Sequence, residues 1–227
     1  MGFSWVLKKF TTWELLSYYA LLYGMPRSRV EEVMALAGIT EKRDAQVSLF
    51  SSGWRQRFFI AKGIINRPKV LFMDEPTVGL DVDAAHAVRD IIRELNRGGC
   101  TILLTTHYMR EAEELCDRIA LISEGRIVAE GTAAELKAQV KSDEAILIQG
   151  QLDPSLRERL ARVPGVLGVA QNETSCRLLV RDHGSMRPVL AALLEAEALV
   201  EGIAFDEPTL EDVFLLLTQK GLEVGDE

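Results

Sequence analysis

The sequence predicts an α/β fold in two parts, residues 1–140 and residues 141–227. Short apolar runs alternate with amphipathic stretches over residues 70–123. The order strand, helix, strand, helix, strand is typical of a parallel sheet. A helical stretch precedes this sheet and is expected to form a helical subdomain. At the end of the chain the order β-α-β-β-α-β predicts a small α+β module of the ferredoxin-like kind.

Capping residues delimit the first two predicted helices. The pattern Thr11-x-x-Glu14 is a capping box at the start of an apolar stretch, and Gly24 is a stop signal. Pro26 is expected to begin the second helix and Gly38 to end it. Both helices therefore belong to the helical subdomain.

The middle of the chain is predicted from hydrophobic periodicity. Its continuous apolar runs are typical of strands that are buried on both faces of a parallel sheet. The predicted elements are a helix over Gly53–Ile65, a strand over Val70–Met73, a helix over Ala84–Asn96, a strand over Thr101–Thr105, a helix over Tyr108–Cys116 and a strand over Ile119–Ser123. The pair Glu124-Gly125 is expected to turn the chain into a further strand, Arg126–Ala129.

The second part has shorter elements. They are predicted as a strand over Ala145–Ile148, a helix over Pro154–Ala161, strands over Val166–Ala170 and Arg177–Val180, a helix over Met186–Ala196, a strand over Val200–Phe205 and a helix over Leu210–Leu217. This order is the basis for the ferredoxin-like prediction.

The composition excludes some classes of protein. With 26 Lys and Arg against 34 Asp and Glu, the net charge is −8, which argues against nucleic acid as the main partner. The three cysteines show no C-x-x-C spacing, so we expect reduced thiols. No stretch approaches the roughly 18 apolar residues of a membrane span. A soluble protein is expected, with any membrane role depending on a partner.

Three sequence blocks resemble a known family. They are Phe50-Ser-Ser-Gly-Trp-Arg-Gln-Arg57, Val70-Leu-Phe-Met-Asp-Glu-Pro-Thr-Val-Gly-Leu-Asp81 and Leu103-Leu-Thr-Thr-His107. In order and spacing they resemble the signature motif, the Walker B strand with its D-loop, and the switch histidine of ABC transporter ATP-binding subunits. The resemblance covers about residues 10–140 and implies a partial P-loop NTPase fold. No Gly-x-x-x-x-Gly-Lys-Ser/Thr motif, which would cradle phosphates, occurs in the sequence.

Two adjacent carboxylates end the first apolar strand. Asp74 and Glu75 are predicted to lie at the carboxyl edge of the sheet, where parallel sheets bind ligands. Asp74 is expected to hold Mg²⁺ through water, and Glu75 to orient or deprotonate the attacking water. An isolated Asp-Glu pair is more often a solvated loop, but Asp81 and His107 follow at the spacing of the family. His107 is expected to hydrogen-bond the γ-phosphate.

The remaining predicted ATP ligands come from the resemblance. It implies that Ser51, Ser52 and Gly53, at a helix N-terminus, contact the γ-phosphate held by another subunit. It also implies a nucleotide contact for Asp81 of the D-loop. The family pattern is Leu-Ser-Gly-Gly-Gln, from which this chain departs by Phe50, Ser52 and Trp54. A plain N-cap serine is the alternative interpretation.

The end of the chain resembles one subgroup of this family. Glu207-Pro-Thr-Leu-Glu-Asp-Val-Phe-Leu-Leu-Leu-Thr218 resembles the ending of ATPase subunits of ABC-2 type exporters. The resemblance implies ATP and Mg²⁺ as cofactors, a homo- or heterodimer of ATPase subunits, a membrane-spanning permease partner, and a peripheral location on the cytoplasmic face of the membrane. Docking to the permease is one role for the aromatic residues near the start, and a place in the helical core is the other. They are Trp5, Phe10, Trp13, Tyr18, Tyr19 and Tyr23.

The missing phosphate loop leaves two functional interpretations. The first is an exporter ATPase whose sequence is truncated before Met1, and the retained Asp74, Glu75, Asp81 and His107 favour it. The second is a degenerate, non-hydrolysing partner or regulatory module that supplies only the signature motif. In either case we expect this chain alone to bind ATP poorly.

Overall fold

The computed structural model describes residues 9–139, 144–171 and 174–223. The chain divides into two compact units, Met1–Tyr108 and Met109–Glu227. The predicted boundary between residues 140 and 141 lies outside the described residues and stays a prediction. In the described part of the chain, every helix is too short or too polar to cross a membrane.

The first unit contains the first four predicted helices and the first two predicted strands. Its elements are α1 (Thr12–Leu22), α2 (Ser28–Leu36), α3 (Ser52–Gly63), β1 (Val70–Asp74), α4 (Val82–Arg97) and β2 (Thr101–Thr105). The predicted capping box is confirmed, since Thr11 Oγ1 accepts the Glu14 N–H at 3.2 Å and Glu14 Oε2 accepts the Thr11 N–H at 2.8 Å. Gly24 follows α1 with a φ of 66°, a left-handed conformation that glycine adopts without strain.

The first three helices enclose a hydrophobic core. Its deeply buried side chains include Leu15, Leu16, Val30, Val33, Met34, Phe58, Ile64 and Ile65. The buried Arg29 donates to the carbonyls of Ile64 and Ile65 at 2.7 and 3.2 Å and to Glu32 Oε2 at 2.8 Å. These bonds satisfy carbonyl groups that the end of α3 leaves without helical partners. The predicted helical subdomain is therefore confirmed.

Strands β1 and β2 form a parallel pair. The register runs from Val70 opposite Thr101 to Asp74 opposite Thr105. The prediction that these strands are buried on both faces is wrong, because Val70, Phe72 and Leu103 are 47%, 73% and 58% exposed.

The covered residues of the pair alternate with the exposed ones. Leu71 packs against Gly63 of α3, and α4 contacts β2. Successive side chains of a strand point to opposite faces, so helices on one face leave every second side chain exposed.

The second unit begins with α5 (Met109–Leu115), β3 (Ile119–Ser123), β4 (Arg126–Gly131) and α6 (Ala133–Gln139). We expected β3 to extend the parallel sheet, but it pairs with β4 in an antiparallel hairpin. Glu124 and Gly125 have φ values of 49° and 75°. Two positive φ values in a two-residue loop are typical of the type I′ turn, which reverses the chain into an adjacent strand.

The predicted ferredoxin-like module is confirmed. Its elements are β5 (Glu144–Gln149), α7 (Pro154–Ala161), β6 (Val166–Gln171), β7 (Ser175–Val180), α8 (Met186–Glu195), β8 (Gly202–Asp206) and α9 (Leu210–Glu223). The strand order is β6-β7-β5-β8 with antiparallel neighbours. Ile146 and Leu178 pack with residues of α7 and α8, whereas Ala145 and Leu179 pack with Leu210 of α9. This sheet is therefore covered on both faces.

Candidate functional site

The carboxyl ends of β1 and β2 bring the predicted catalytic residues together. Asp74 and Thr105 lie opposite each other in the parallel register. The Thr105 hydroxyl donates to Asp74 Oδ1 at 2.5 Å. Both side chains are exposed to solvent, so a ligand can reach them. The predicted position of Asp74 at the edge of the sheet agrees with this arrangement.

Glu75 leaves the strand in a left-handed backbone conformation. Its φ is 44°, which is uncommon for a residue other than glycine and costs about 1–3 kcal/mol. The Glu75 N–H donates to the carbonyl oxygen of Thr105 at 3.0 Å and to the Thr105 hydroxyl at 3.2 Å. The buried Pro76 follows and stops the strand. Such a conformation persists only where surrounding contacts hold it, and it is enriched at functional sites.

The side chain of Glu75 meets His107. Glu75 Oε1 lies 3.1 Å from His107 Nδ1, and the two side chains are 45% and 56% exposed. The imidazole lies 4.1 Å from the ring of Tyr108, whose N–H donates to Thr106 Oγ1 at 3.0 Å. The bond at Nδ1 leaves Nε2 of His107 for a ligand. A carboxylate and an imidazole at this distance can together orient a water molecule and a phosphate oxygen.

The donor set suits a cation that the substrate helps to bind. In the described part of the chain, no group of three or more His, Cys, Asp or Glu side chains could hold a metal ion by itself. Mg²⁺ does not need such a group, because it keeps several waters and uses one or two carboxylates together with phosphate oxygens. Asp74 is exposed and can supply that carboxylate.

The signature turn lies at the start of α3. Ser51 is the N-cap residue, but its hydroxyl makes no capping bond, and both Ser51 and Ser52 are exposed. Gly53 is buried, and a Cβ atom added there would lie 2.7 Å from Ala84 Cβ. Gly53 therefore allows α3 and α4 to approach closely, a packing role that the sequence analysis missed.

Asp81 has a structural role in the same region. It is the N-cap of α4, and its Oδ1 accepts the Ala84 N–H at 2.7 Å. Gly79, two residues before it, has a φ of 72°. The D-loop thus ends in a capped helix whose third residue packs on Gly53.

Trp54 stands where the family pattern has glutamine. Its ring lies 4.3 Å from the Arg57 guanidinium and 4.9 Å from the Lys42 ammonium. Such cation–π contacts contribute about 0.5–1 kcal/mol each at exposed sites. This departure therefore has a local structural explanation.

The structure gathers some of the predicted site residues and leaves others separate. Asp74, Glu75 and His107 form one cluster, which Thr105 joins by hydrogen bonds although it was not assigned a role from the sequence. Across the described ranges, no hydrogen bond or ion pair links this cluster with Ser51 or Ser52. The nucleotide contacts of Ser51, Ser52, Gly53 and Asp81 stay predictions.

Two known families match different parts of the chain, and several proteins are similar to most of it. Residues 4–78 match the ABC transporter family, and residues 131–218 match the ATP-binding protein DrrA1-3-like, C-terminal domain. The daunorubicin resistance ATP-binding protein DrrA3 of Streptomyces coeruleorubidus is 40% identical over 199 residues. That alignment covers 85% of this chain and 61% of the relative. Two Nod factor export ATP-binding proteins I, from Ralstonia nicotianae and Paraburkholderia xenovorans, are 36% and 38% identical.

The relatives are longer than this chain. The alignments cover 96% of this chain and 68% of the Ralstonia protein, and 94% of this chain and 69% of the Paraburkholderia protein. A solved structure of an ATP binding subunit of an ABC transporter matches with a TM-score of 0.51 and 29% identity. That match covers 58% of this chain and 57% of the solved chain.

Proposed function

This chain belongs to the family of ABC transporter ATP-binding proteins, and we propose that it serves as the ATPase subunit of an ABC-2 type exporter. In this role it would couple ATP binding and hydrolysis to transport through a separate permease. The observation that carries the proposal is the contact of 3.1 Å between Glu75 and His107 beside Asp74, at the paired ends of β1 and β2.

Each residue of this cluster has a distinct task in the proposed reaction. Glu75 accepts a proton from the attacking water or orients it, because a carboxylate is an acceptor at a solvent-accessible site. His107 donates from Nε2 to the γ-phosphate in its imidazolium form, because Nδ1 faces the Glu75 carboxylate and only the imidazolium carries a proton on both ring nitrogens. Asp74 would hold Mg²⁺ through a coordinated water. Bound Mg²⁺ neutralises charge on the phosphates.

We assign the signature residues to a neighbouring subunit's nucleotide. Ser51 and Ser52 expose hydroxyl groups at the N-terminus of α3, where backbone N–H groups and the helix dipole favour anions. Gly53 and Asp81 complete this surface in the proposal, with a homo- or heterodimer as the working assembly.

A permease is the proposed membrane partner. Tyr18, Leu21, Leu22 and Tyr23 form an exposed apolar patch at the end of α1. Contact with the permease through this patch would place the subunit at the cytoplasmic face of the membrane. Trp5, another residue considered for docking, lies outside the described residues. The names of two relatives refer to daunorubicin resistance and to Nod factor export, and they support export as the direction of transport.

The assignment of two domains along the chain is also part of the proposal. We assign residues 1–140 to the ATPase domain and residues 141–227 to an accessory module. The match of residues 131–218 to the DrrA1-3-like C-terminal domain supports a separate module at this end.

ATP hydrolysis tests the proposal in two steps. Calorimetric titration of this chain with Mg-ATP should show weak binding, because the sequence has no Gly-x-x-x-x-Gly-Lys-Ser/Thr motif. The chain is then fused behind a segment that carries a Gly-x-x-x-x-Gly-Lys-Ser/Thr motif, and phosphate release is measured. Glu75→Gln should lower turnover by roughly 10²–10⁴-fold with ATP binding retained. His107→Ala should also slow hydrolysis.

Glu94→Gln is the matched control. Glu94 is an exposed acid near the C-terminal end of α4 and is not part of the cluster of Asp74, Glu75 and His107. It should leave turnover unchanged. Near-normal turnover in Glu75→Gln would assign the base elsewhere.

The alternative, a non-hydrolysing partner or regulatory module, predicts no turnover in the fused parent chain. The contact between Glu75 and His107 favours the hydrolytic subunit.

A further inference from the structure

We propose that Thr105 is a positioning residue of this site, whose hydroxyl holds the Asp74 carboxylate and the Glu75 peptide in a fixed relation. The inference rests on the proposed function, because it concerns the residues assigned there to the metal and to the attacking water. It assigns a task to a side chain that has none in the proposed reaction.

The hydroxyl of Thr105 makes two hydrogen bonds in opposite senses. A threonine hydroxyl has one donor and two acceptor positions. The donor is used on Asp74 Oδ1 at 2.5 Å, and the oxygen accepts the Glu75 N–H at 3.2 Å. One hydroxyl therefore connects Asp74, the last residue of β1, with Glu75, the residue that follows it. Because threonine is branched at Cβ, its χ1 angle is restricted, which gives this connection a defined direction.

The first bond orients the carboxylate. Asp74 is exposed, so without a partner its side chain would sample several rotamers in water. The bond to Oδ1 selects one orientation and leaves Oδ2 for a water or a cation. Partners that orient a metal-binding carboxylate usually change metal affinity by 10–100-fold when they are removed.

The second bond supports the unusual backbone of Glu75. The φ of 44° is held by the N–H of Glu75, which donates both to the hydroxyl and to the carbonyl of Thr105. This conformation is the point from which the Glu75 side chain reaches His107 at 3.1 Å. Loss of the hydroxyl would leave only the carbonyl bond.

Mn²⁺ binding to this chain tests the inference without relying on ATP turnover. The probe is MnCl₂ together with excess inorganic pyrophosphate, whose oxygens supply the metal ligands that Asp74 alone does not. The paramagnetism of Mn²⁺ broadens amide signals near the bound ion in ¹⁵N-labelled protein. We expect broadening of Asp74 and Glu75 in the parent chain, with about tenfold weaker affinity in Thr105→Val. Thr105→Ser, which keeps the hydroxyl, should restore the affinity to within about twofold. Thr101→Val, at the other end of β2, is the control for loss of a strand hydroxyl and should bind like the parent.

The possible outcomes separate this inference from the proposed function. Equal Mn²⁺ affinity in the parent and Thr105→Val would overturn the positioning role while leaving the metal role of Asp74 intact. A parent without broadening at Asp74 would refute the metal role in the proposed function, and this inference would fall with it. If the valine variant does not fold, Thr105→Ala removes the same hydroxyl and is judged by the same criterion.

Discussion

Gly53→Ala offers a sharp test of the contact between α3 and α4. In the structure an added Cβ would lie 2.7 Å from Ala84 Cβ and 3.9 Å from Ala84 Cα. Carbon atoms at optimal separation lie about 3.5–4.0 Å apart, so one helix must shift by roughly 1 Å. Overpacking of this kind typically costs about 1–3 kcal/mol. The better helix propensity of alanine offsets up to about 1 kcal/mol of this.

We therefore expect Gly53→Ala to lower the free energy of unfolding by about 1–2 kcal/mol. Urea unfolding of the parent, of both single variants and of the double variant with Ala84→Gly measures this effect as a double-mutant cycle. Ala84→Gly removes the atom that clashes, so the double variant should regain about 1–3 kcal/mol relative to additivity.

Gly63→Ala is the matched control in the same helix. A Cβ atom there would meet Leu71 Cδ1 at 3.3 Å, at the flexible end of a side chain that can move. Its effect should be smaller than that of Gly53→Ala. If Gly53→Ala is as stable as the parent and shows no coupling to Ala84, the close contact between the helices is wrong. If the coupling is found, loss of nucleotide binding in a Gly53 variant reflects packing as well as any lost phosphate contact.

Three further predictions concern the protection of strand amides, a buried thiol and an ion pair. In hydrogen exchange, amides of β5 and β7 should be protected far longer than those of β1 and β2, because the latter sheet is covered on one face only; equal protection would contradict this. Burial raises the pKa of the Cys176 thiol to about 11, so iodoacetamide should modify this thiol only after unfolding. The contribution of the protonated thiol to the free energy of unfolding should be complete below pH 9.0 and lost as the pH rises through about 11. The Arg177 guanidinium lowers the pKa of Asp206 below 3.8, so Asp206→Asn should reduce the free energy of unfolding at pH 7. The difference in stability between the parent and this variant should vanish as the pH falls through the folded-state pKa of Asp206. A constant difference down to pH 2 would refute the pairing of Asp206 with Arg177.

Much of the local structure was readable from the sequence because its causes are local. The capping box of Thr11 and Glu14 and the turn at Gly125 depend on residues a few positions apart. The order of elements in the ferredoxin-like module followed from the same kind of signal. Asp74, Glu75 and His107 could be chosen because each ends a predicted strand and matches a family motif at the right spacing.

The tertiary structure decided features that depend on distant parts of the chain. Whether an apolar strand such as β1 is buried on both faces depends on which layers cover it, and its sequence alone cannot distinguish one cover from two. Gly53 needs its missing side chain because Ala84 approaches from another helix.

Thr105 shows the same limit within the candidate site. Its hydroxyl reaches Asp74 and Glu75 only because the parallel register places it opposite Asp74, some thirty residues away in sequence. Residue type and spacing by themselves determined which groups could carry the chemistry. The pairing of the two strands determined which of those groups meet, since hydrogen bonds form between atoms that the fold brings within about 3 Å.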